Sequence, residues 1–289
     1  MRKTVDMNNI NVIERIHSSY NKFTKAEKKV ANYCLSHRDE VPYLSITDLA
    51  YACGVGDASV YRFCRSLKLQ GYQEFKMRFS LCSEEAAQAD PAGKDVPDTV
   101  FNTLPEKIRS SHISAIDETF HLLNLTELES IVILLEQAEH VYFFGVGDSL
   151  LAAEEARNKF LRITQKVNCI TDSHMQAVTA SLTTEKDLVF IISYSGATKD
   201  NLQTAKIARE KGARVVCITH FQKSPLTAYC DVVLLCGTKE SPLDRGSMSE
   251  KTGLLFLIDL LYQCYYERNQ GEAERNSELS AASVLDRSL

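Results

Sequence analysis

Two short stretches of this chain combine glycine with hydroxyl side chains directly after apolar runs. They are Phe144-Gly145-Val146-Gly147-Asp148-Ser149 and Ser193-Tyr194-Ser195-Gly196-Ala197-Thr198. Glycine lets a backbone approach an anion closely, and the start of a helix offers unpaired N–H groups and a favourable dipole. Hydroxyls gathered around one turn add donors, so the second stretch predicts a nest shaped for a phosphate dianion. Two other readings stay open at this point. A Gly-x-Gly also opens dinucleotide-binding loops, although Leu150 stands where their third glycine belongs. Ser and Thr also cap helices without binding anything.

A second constellation lies near the start, in Ser45–Leu67, SITDLAYACGVGDASVYRFCRSL. A helix-turn-helix needs a small residue where its helices cross, a glycine at the turn and an apolar wedge between them. Ala50, Gly54 and Val60 supply the register, and Leu49, Cys53, Val55 and Phe63 the wedge. The second helix, about Asp57–Leu67, then turns Asp57, Ala58, Ser59, Tyr61, Arg62 and Arg65 outward. Such a helix enters the major groove by its N-terminal residues, where Arg pairs with guanine and Ser or Tyr reaches phosphates and base edges. The competing reading is an ordinary helical hairpin with a solvated arginine face.

These residues need elements to hold them. Thr24 followed by Glu27 reads as a capping box opening a helix over Lys25–Ser36, and Ser45 caps the next. The stretch from Ser83 to Asp98, SEEAAQADPAGKDVPD, reads as a linker. Helical periodicity returns over 99–137, with Thr126 capping Glu127–Gln137. Beyond residue 139 the pattern alternates. Val141–Phe144, Val167–Thr171, Leu188–Ser193, Val215–Thr219 and Val232–Leu235 read as buried strands. Amphipathic helices are expected at Ser149–Ile163, His174–Leu182, Lys199–Lys211, near Leu226 and at Thr252–Tyr266. Apolar strands alternating with helices predict a parallel sheet covered on both faces. The polar stretch Arg268–Leu289 is expected to fray.

The expected fold class is therefore two-domain: an all-α helix-turn-helix domain, then an α/β domain with a five-stranded parallel sheet flanked by helices. The expected boundaries are 1–80 for the helix-turn-helix domain, 81–125 for a linker and connecting helix, 126–268 for the α/β domain and 269–289 for a polar tail. The 289 residues are 44% hydrophobic and 25% charged, ordinary for a globular protein. No apolar run reaches the roughly 18 residues of a membrane span, and Met1–Ile16 has no signal-peptide core, so a cytoplasmic location is expected. The nine cysteines are scattered without a C-x-x-C pair, which suits buried thiols in a reducing compartment. The net charge of −5 divides unevenly: residues 1–80 hold 13 Lys and Arg against 8 Asp and Glu, the remainder 20 against 30. A basic front on an acidic body suits a nucleic-acid-binding head.

The segment VGDASVYRFCRSLKLQGYQEFK resembles the recognition-helix signature of the RpiR/MurR family of transcriptional regulators. Arg62-Phe63-Cys64-Arg65 precedes Gly71-Tyr72-Gln73-Glu74-Phe75-Lys76, as in that family. Two positions depart from it, with Gly56 where a serine cap is usual and Lys68 where glycine is frequent. Residues 126–266 resemble the sugar isomerase (SIS) domain, with its Gly-x-Gly-x-Ser and Ser-x-Ser-Gly-x-Thr loops. That resemblance implies phosphate binding by Ser149, Ser193, Ser195 and Thr198, with backbone help around Gly147 and Tyr194. Asp172-Ser-His174-Met-Gln176 and Ser224-Pro225-Leu226 fit the regulator branch, whereas Ser249-Glu250-Lys251 replaces its more usual Ser-Ser-Arg.

The resemblance implies a DNA-binding regulator controlled by a phosphorylated sugar, with Asp57, Ser59, Tyr61, Arg62 and Arg65 facing DNA. Its expected partners are a double-stranded operator, the sugar phosphate and further copies of itself as a homodimer or homotetramer. No metal, cofactor or membrane is expected. The rival is a sugar-phosphate isomerase or lyase, which needs a base near the substrate's C1–C2. Glu154, Glu155, His174, His220 and Glu250 are candidates, but no motif selects among them, and a fold alone confers no activity.

Overall fold

A computed structural model of the chain describes residues 11–87, 99–237 and 248–285. It divides into two compact units that part between Leu104 and Pro105. That boundary falls inside a helix, α6 (Thr99–His121), at the one residue there with no N–H for the helical ladder.

The first unit contains α1 (Val12–Ser19), α2 (Lys25–Ser36), α3 (Ile46–Cys53), α4 (Asp57–Ser66) and α5 (Tyr72–Ala87). The capping box at Thr24 is formed as its spacing predicts, each partner bonding the other's backbone N–H. A chain of aromatic contacts runs through the core, Phe23 to Phe63 at 5.2 Å, Phe63 to Phe75 at 5.6 Å and Phe75 to Phe79 at 5.3 Å between ring centroids. Burying each such ring contributes about 1.5–3 kcal/mol. Lys76 is drawn into the same interior, and burial pushes its amine down to about 8. The expected linker at 83–98 starts inside α5, which continues to Ala87; residues 88–98 lie outside the described residues.

Both helices of the predicted pair end in the same way. Val55 N–H bonds the Ala50 carbonyl while Gly54 N–H bonds that of Tyr51, and Leu69 and Lys68 do likewise to Cys64 and Arg65. These are Schellman endings, which need a left-handed residue. Gly54 fills the first at φ +61°, but Lys68 fills the second at φ +62°. A side chain in that conformation costs about 1–2 kcal/mol, against roughly 0.5–1 kcal/mol for glycine's extra freedom when unfolded. Lys68→Gly is therefore expected to stabilise the first unit by about 0.5–1 kcal/mol. A raised urea midpoint with unchanged slope is the expected readout, and a lowered midpoint would contradict the account.

The second unit carries the rest of α6, then α7 (Leu125–Gln137), β1 (His140–Gly145), α8 (Asp148–Phe160), β2 (Val167–Cys169), α9 (Ser173–Ala180), β3 (Asp187–Ile192), α10 (Lys199–Glu210), β4 (Arg214–Thr219), β5 (Val232–Leu235), α11 (Ser249–Arg268) and α12 (Gln270–Ala282). All five strands are parallel, in the order β2-β1-β3-β4-β5. One face packs Phe143, Phe190, Ile192, Val216 and Leu234 against α7, α8 and α11. The other packs Phe144, Val189, Ile191 and Cys217 against Ala205 and Ala208 of α10. With both faces covered, every residue of β3 is buried, which is why the strands read as continuous apolar runs.

Three local expectations are corrected. Asn124, not Thr126, caps α7, its side-chain oxygen accepting from Thr126 N at 3.0 Å and Glu127 N at 3.3 Å. The helix near Leu226 is a single 3-10 turn, Thr227–Tyr229. The tail does not fray throughout: α12 buries Ala273, and Asn276 donates to the Ile163 carbonyl at 2.9 Å. All nine cysteines are free thiols, six of them buried. Among the described residues no helix is long and apolar enough to cross a membrane.

Candidate functional site

In the first unit, Val60, Phe63 and Cys64 of α4 are buried, which leaves Ala58, Tyr61, Arg62 and Arg65 exposed and Asp57 and Ser59 half-buried. Every predicted DNA-facing residue thus lies off the core-facing stripe, but their side chains are not equally available. Arg62 Nη2 donates to Ser59 Oγ at 3.0 Å, so these two form one group near the helix start. Arg65 Nη1 reaches back to the Leu69 carbonyl at 3.2 Å, closing the helix end. Tyr61 leans toward Gly71, its ring edge 3.5 Å from where a side chain there would begin. Asp57 accepts a hydrogen bond from Thr47 Oγ1 at 2.8 Å. Gly56 caps α4 without a side-chain bond, so the Asp57 carboxylate supplies the negative charge that a helix N-terminus favours.

In the second unit, the two glycine-hydroxyl loops leave the C-terminal ends of β1 and β3. These strands are neighbours, with Gly145 level with Ile192. Their connections depart to opposite faces of the sheet, because α8 packs on one side and α10 on the other. This is the topological switch point at which open α/β sheets bind ligands. At the end of β1, a side chain on Gly145 would meet the Ser149 backbone at 2.9 Å, which forces glycine at this tight entry to α8. Gly147 follows at φ +62° with open space around it, and Ser149 is half-buried.

The β3 loop is more firmly held. Gly196 N–H closes a turn onto the Ser193 carbonyl at 3.1 Å, and the Tyr194 carbonyl accepts from His220 N at 3.0 Å and Thr219 Oγ1 at 3.1 Å. The Tyr194 ring stacks on His220 at 4.8 Å. Tyr194 therefore anchors the loop to the end of β4. Ser195 Oγ accepts from Ala197 N at 3.3 Å, leaving its own proton to donate. Thr198 is the N-cap of α10, but its hydroxyl makes no capping bond. The helix-cap reading thus leaves both the Thr198 hydroxyl and the Ser195 proton unexplained.

The helix-turn-helix domain of the rpiR family matches residues 10–87, and the SIS domain matches residues 134–263. An HTH-type transcriptional regulator of Haemophilus influenzae is 33% identical over 96% of this chain and 98% of its own length. The chain belongs to the rpiR family. The HTH-type transcriptional regulator HexR of Pseudomonas aeruginosa is 36% identical over 72% of the chain and 73% of its own length. Among solved structures, Vibrio vulnificus NanR complexed with ManNAc-6P matches with a TM-score of 0.83 and 28% identity, over 96% of this chain and 100% of that one. The chain is thus a helix-turn-helix transcriptional regulator with a SIS domain.

Three residues given no role by their sequence pattern support the loops of this rpiR-family chain. Gln176, buried in α9, donates from Nε2 to the Gly145 carbonyl at 2.9 Å and the Ile170 carbonyl at 2.7 Å, tying the ends of β1 and β2 together. Ser224 lies buried against Gly196, and Leu226 N–H bonds the Gly196 carbonyl at 2.9 Å. Lys251 Nζ pairs with Asp148 Oδ1 at 3.1 Å. That pair answers a difficulty in the sequence, since an isolated Asp148 carboxylate beside the β1 loop repels an anion. Asp148 is 80% exposed and countered by the amine. Of the candidate bases, His220 has Nδ1 against the Cys236 carbonyl at 3.0 Å, and Glu155 lines a separate cleft with Lys159, Arg162 and Tyr262.

Proposed function

We propose that this regulator binds a phosphorylated sugar between the β1 and β3 loops and that the bound sugar sets its affinity for an operator. The carrying observation is the pairing of the two loops on adjacent strands at the switch point, with Ser195 and Thr198 hydroxyls not consumed as caps. The phosphate is held by Ser149, Ser193, Ser195 and Thr198, with backbone N–H groups near Gly147 and Tyr194. A dianion there gains helix-dipole attraction and charge-assisted hydrogen bonds that an unphosphorylated sugar does not. The complex of NanR with ManNAc-6P supports this class of ligand.

At the other end, the helix-turn-helix domain, residues 1–80, presents Asp57, Ser59, Tyr61, Arg62 and Arg65 of α4 to the major groove. Arg62 makes the principal base contact. The SIS-like domain, residues 126–268, acts as a sensor and not as an enzyme, a reading supported by the regulator names of the relatives. The chain works in the cytoplasm as a homodimer or homotetramer, because one helix-turn-helix reads few base pairs and paired half-sites need two-fold symmetry. An apolar groove of about 400 Å³ between α7 and α11, lined by Leu125, Leu128, Val132 and Cys264, suits such an interface.

Calorimetric titration with a panel of hexose and N-acetylhexosamine phosphates tests the reading. At least one member is expected to bind and to shift affinity for a DNA duplex selected by the chain, while its unphosphorylated counterpart does neither. No binding across the panel would leave the SIS domain as an assembly module.

A further inference from the structure

The recognition helix is held by two kinds of contact. The apolar wedge of Val60, Phe63 and Cys64 fixes its depth, but apolar packing is non-directional and tolerates small rotations. Two polar ties between helices, one at each end, are directional. At the N-terminal end, Thr47 of α3 donates from Oγ1 to Asp57 Oδ2 at 2.8 Å. At the C-terminal end, Ser66 Oγ donates to Glu27 Oε1 of α2 at 2.6 Å. Glu27 is itself buried and fixed, since its other oxygen accepts from Thr24 N at 2.8 Å in the capping box. Burial pushes the Glu27 carboxyl up, but hydrogen bonds from Ser66 and Thr24 and the nearby Arg62 charge together outweigh it and hold the group below its ordinary value. It therefore remains an ionised, directional acceptor at neutral pH.

We infer that Thr47 and Glu27 are positioning residues for base reading: through Asp57 and Ser66 they set the rotation at which α4 presents Ser59 and Arg62. The inference rests on α4 being the base-reading helix. Its consequence is a distinct pattern of loss. A rotation of α4 misaims a bidentate arginine, which demands good geometry, yet leaves the head's total charge unchanged. Sequence-specific affinity falls while charge-driven, non-specific affinity and its salt slope persist.

The test uses the full chain with a duplex enriched by the wild type from a random-sequence pool, against a scrambled duplex of equal length. Thr47→Val removes the hydroxyl at nearly constant volume, Thr47→Ser retains it, and Ser66→Ala removes the second tie while leaving the capping box intact. Thr47→Val and Ser66→Ala are each expected to weaken binding to the enriched duplex about 5- to 10-fold, the size of a partly lost bidentate base contact. Scrambled-duplex affinity and salt slope should stay near wild type, the melting temperature should fall by about 5–10 °C because each tie is also lost from the free chain, and Thr47→Ser should restore the preference. Unchanged preference in both variants, or equal loss on both duplexes, would overturn the inference. Arg62→Ala separates the two levels. If it weakens enriched-duplex binding while the tie variants do not, the positioning roles fail and the recognition helix stands. If Arg62→Ala also has no effect, the reading of α4 itself fails.

Discussion

Replacing Ser195 and Thr198 together by alanine is expected to lower affinity for the phosphorylated sugar about 100-fold or more. Each hydroxyl donating to a dianion contributes about 1.5–3 kcal/mol, and two such losses compound. The free sugar, lacking the phosphate, should change by no more than about 2- to 3-fold. Stability should scarcely move, because the Thr198 hydroxyl does not cap α10 and Ser195 Oγ makes a single long contact to Ala197 N at 3.3 Å. The measurement is a pair of titrations on wild type and double variant, with phosphorylated and free forms of one sugar. Equal weakening of both forms would mean that the hydroxyls serve only local structure and that the phosphate binds elsewhere.

The strands and their loops were legible because β3 and its neighbours are buried on both faces, and such strands spell themselves as apolar runs ending abruptly in glycine and serine. The helix-turn-helix was legible for a similar reason, since Gly54 stands at the turn between its helices, where a left-handed residue is required. What stayed hidden depends on tertiary partners. Lys68 stands where the family often has glycine, but the lysine's φ of +62° and its strain appear only when the Schellman ending is formed. Thr47 and Asp57 are ten residues apart, and Glu27 and Ser66 thirty-nine, so neither tie has a local signature. Asp57 reads from spacing as an outward groove residue, and only the fold reveals that its carboxylate meets Thr47. Gln176 belongs to a stretch that fits the family's regulator branch, but its role is visible only when its side chain bridges the ends of β1 and β2. Long-range polar contacts of this kind carry no periodicity, which is the signal that sequence reading relies on.

Gly196→Ala is expected to abolish detectable phosphosugar binding and to lower the melting temperature of the SIS domain. Two penalties act at one atom. The residue sits at φ +58°, where a side chain costs about 1–2 kcal/mol. The added carbon would also lie 2.1 Å from Ser224 Oγ and 2.6 Å from Ser224 Cβ. A hydroxyl rotates away readily, but the Cβ is fixed by the backbone of its loop. The β3 loop and the Ser224–Leu226 segment must therefore separate, stretching the 2.9 Å bond from Leu226 N–H to the Gly196 carbonyl. Overpacking of this kind typically costs a further 1–3 kcal/mol. A combined cost of about 2–5 kcal/mol corresponds to a fall of roughly 5–15 °C for a domain of this size. Adding Ser224→Gly to the variant removes the clash but not the backbone strain, so it should recover part of the lost stability and restore measurable binding. Calorimetry and thermal melting of the single and double variants read both effects. Wild-type affinity in Gly196→Ala would show that the turn can shift without disturbing the anion, and the loop would then not be the phosphate cradle.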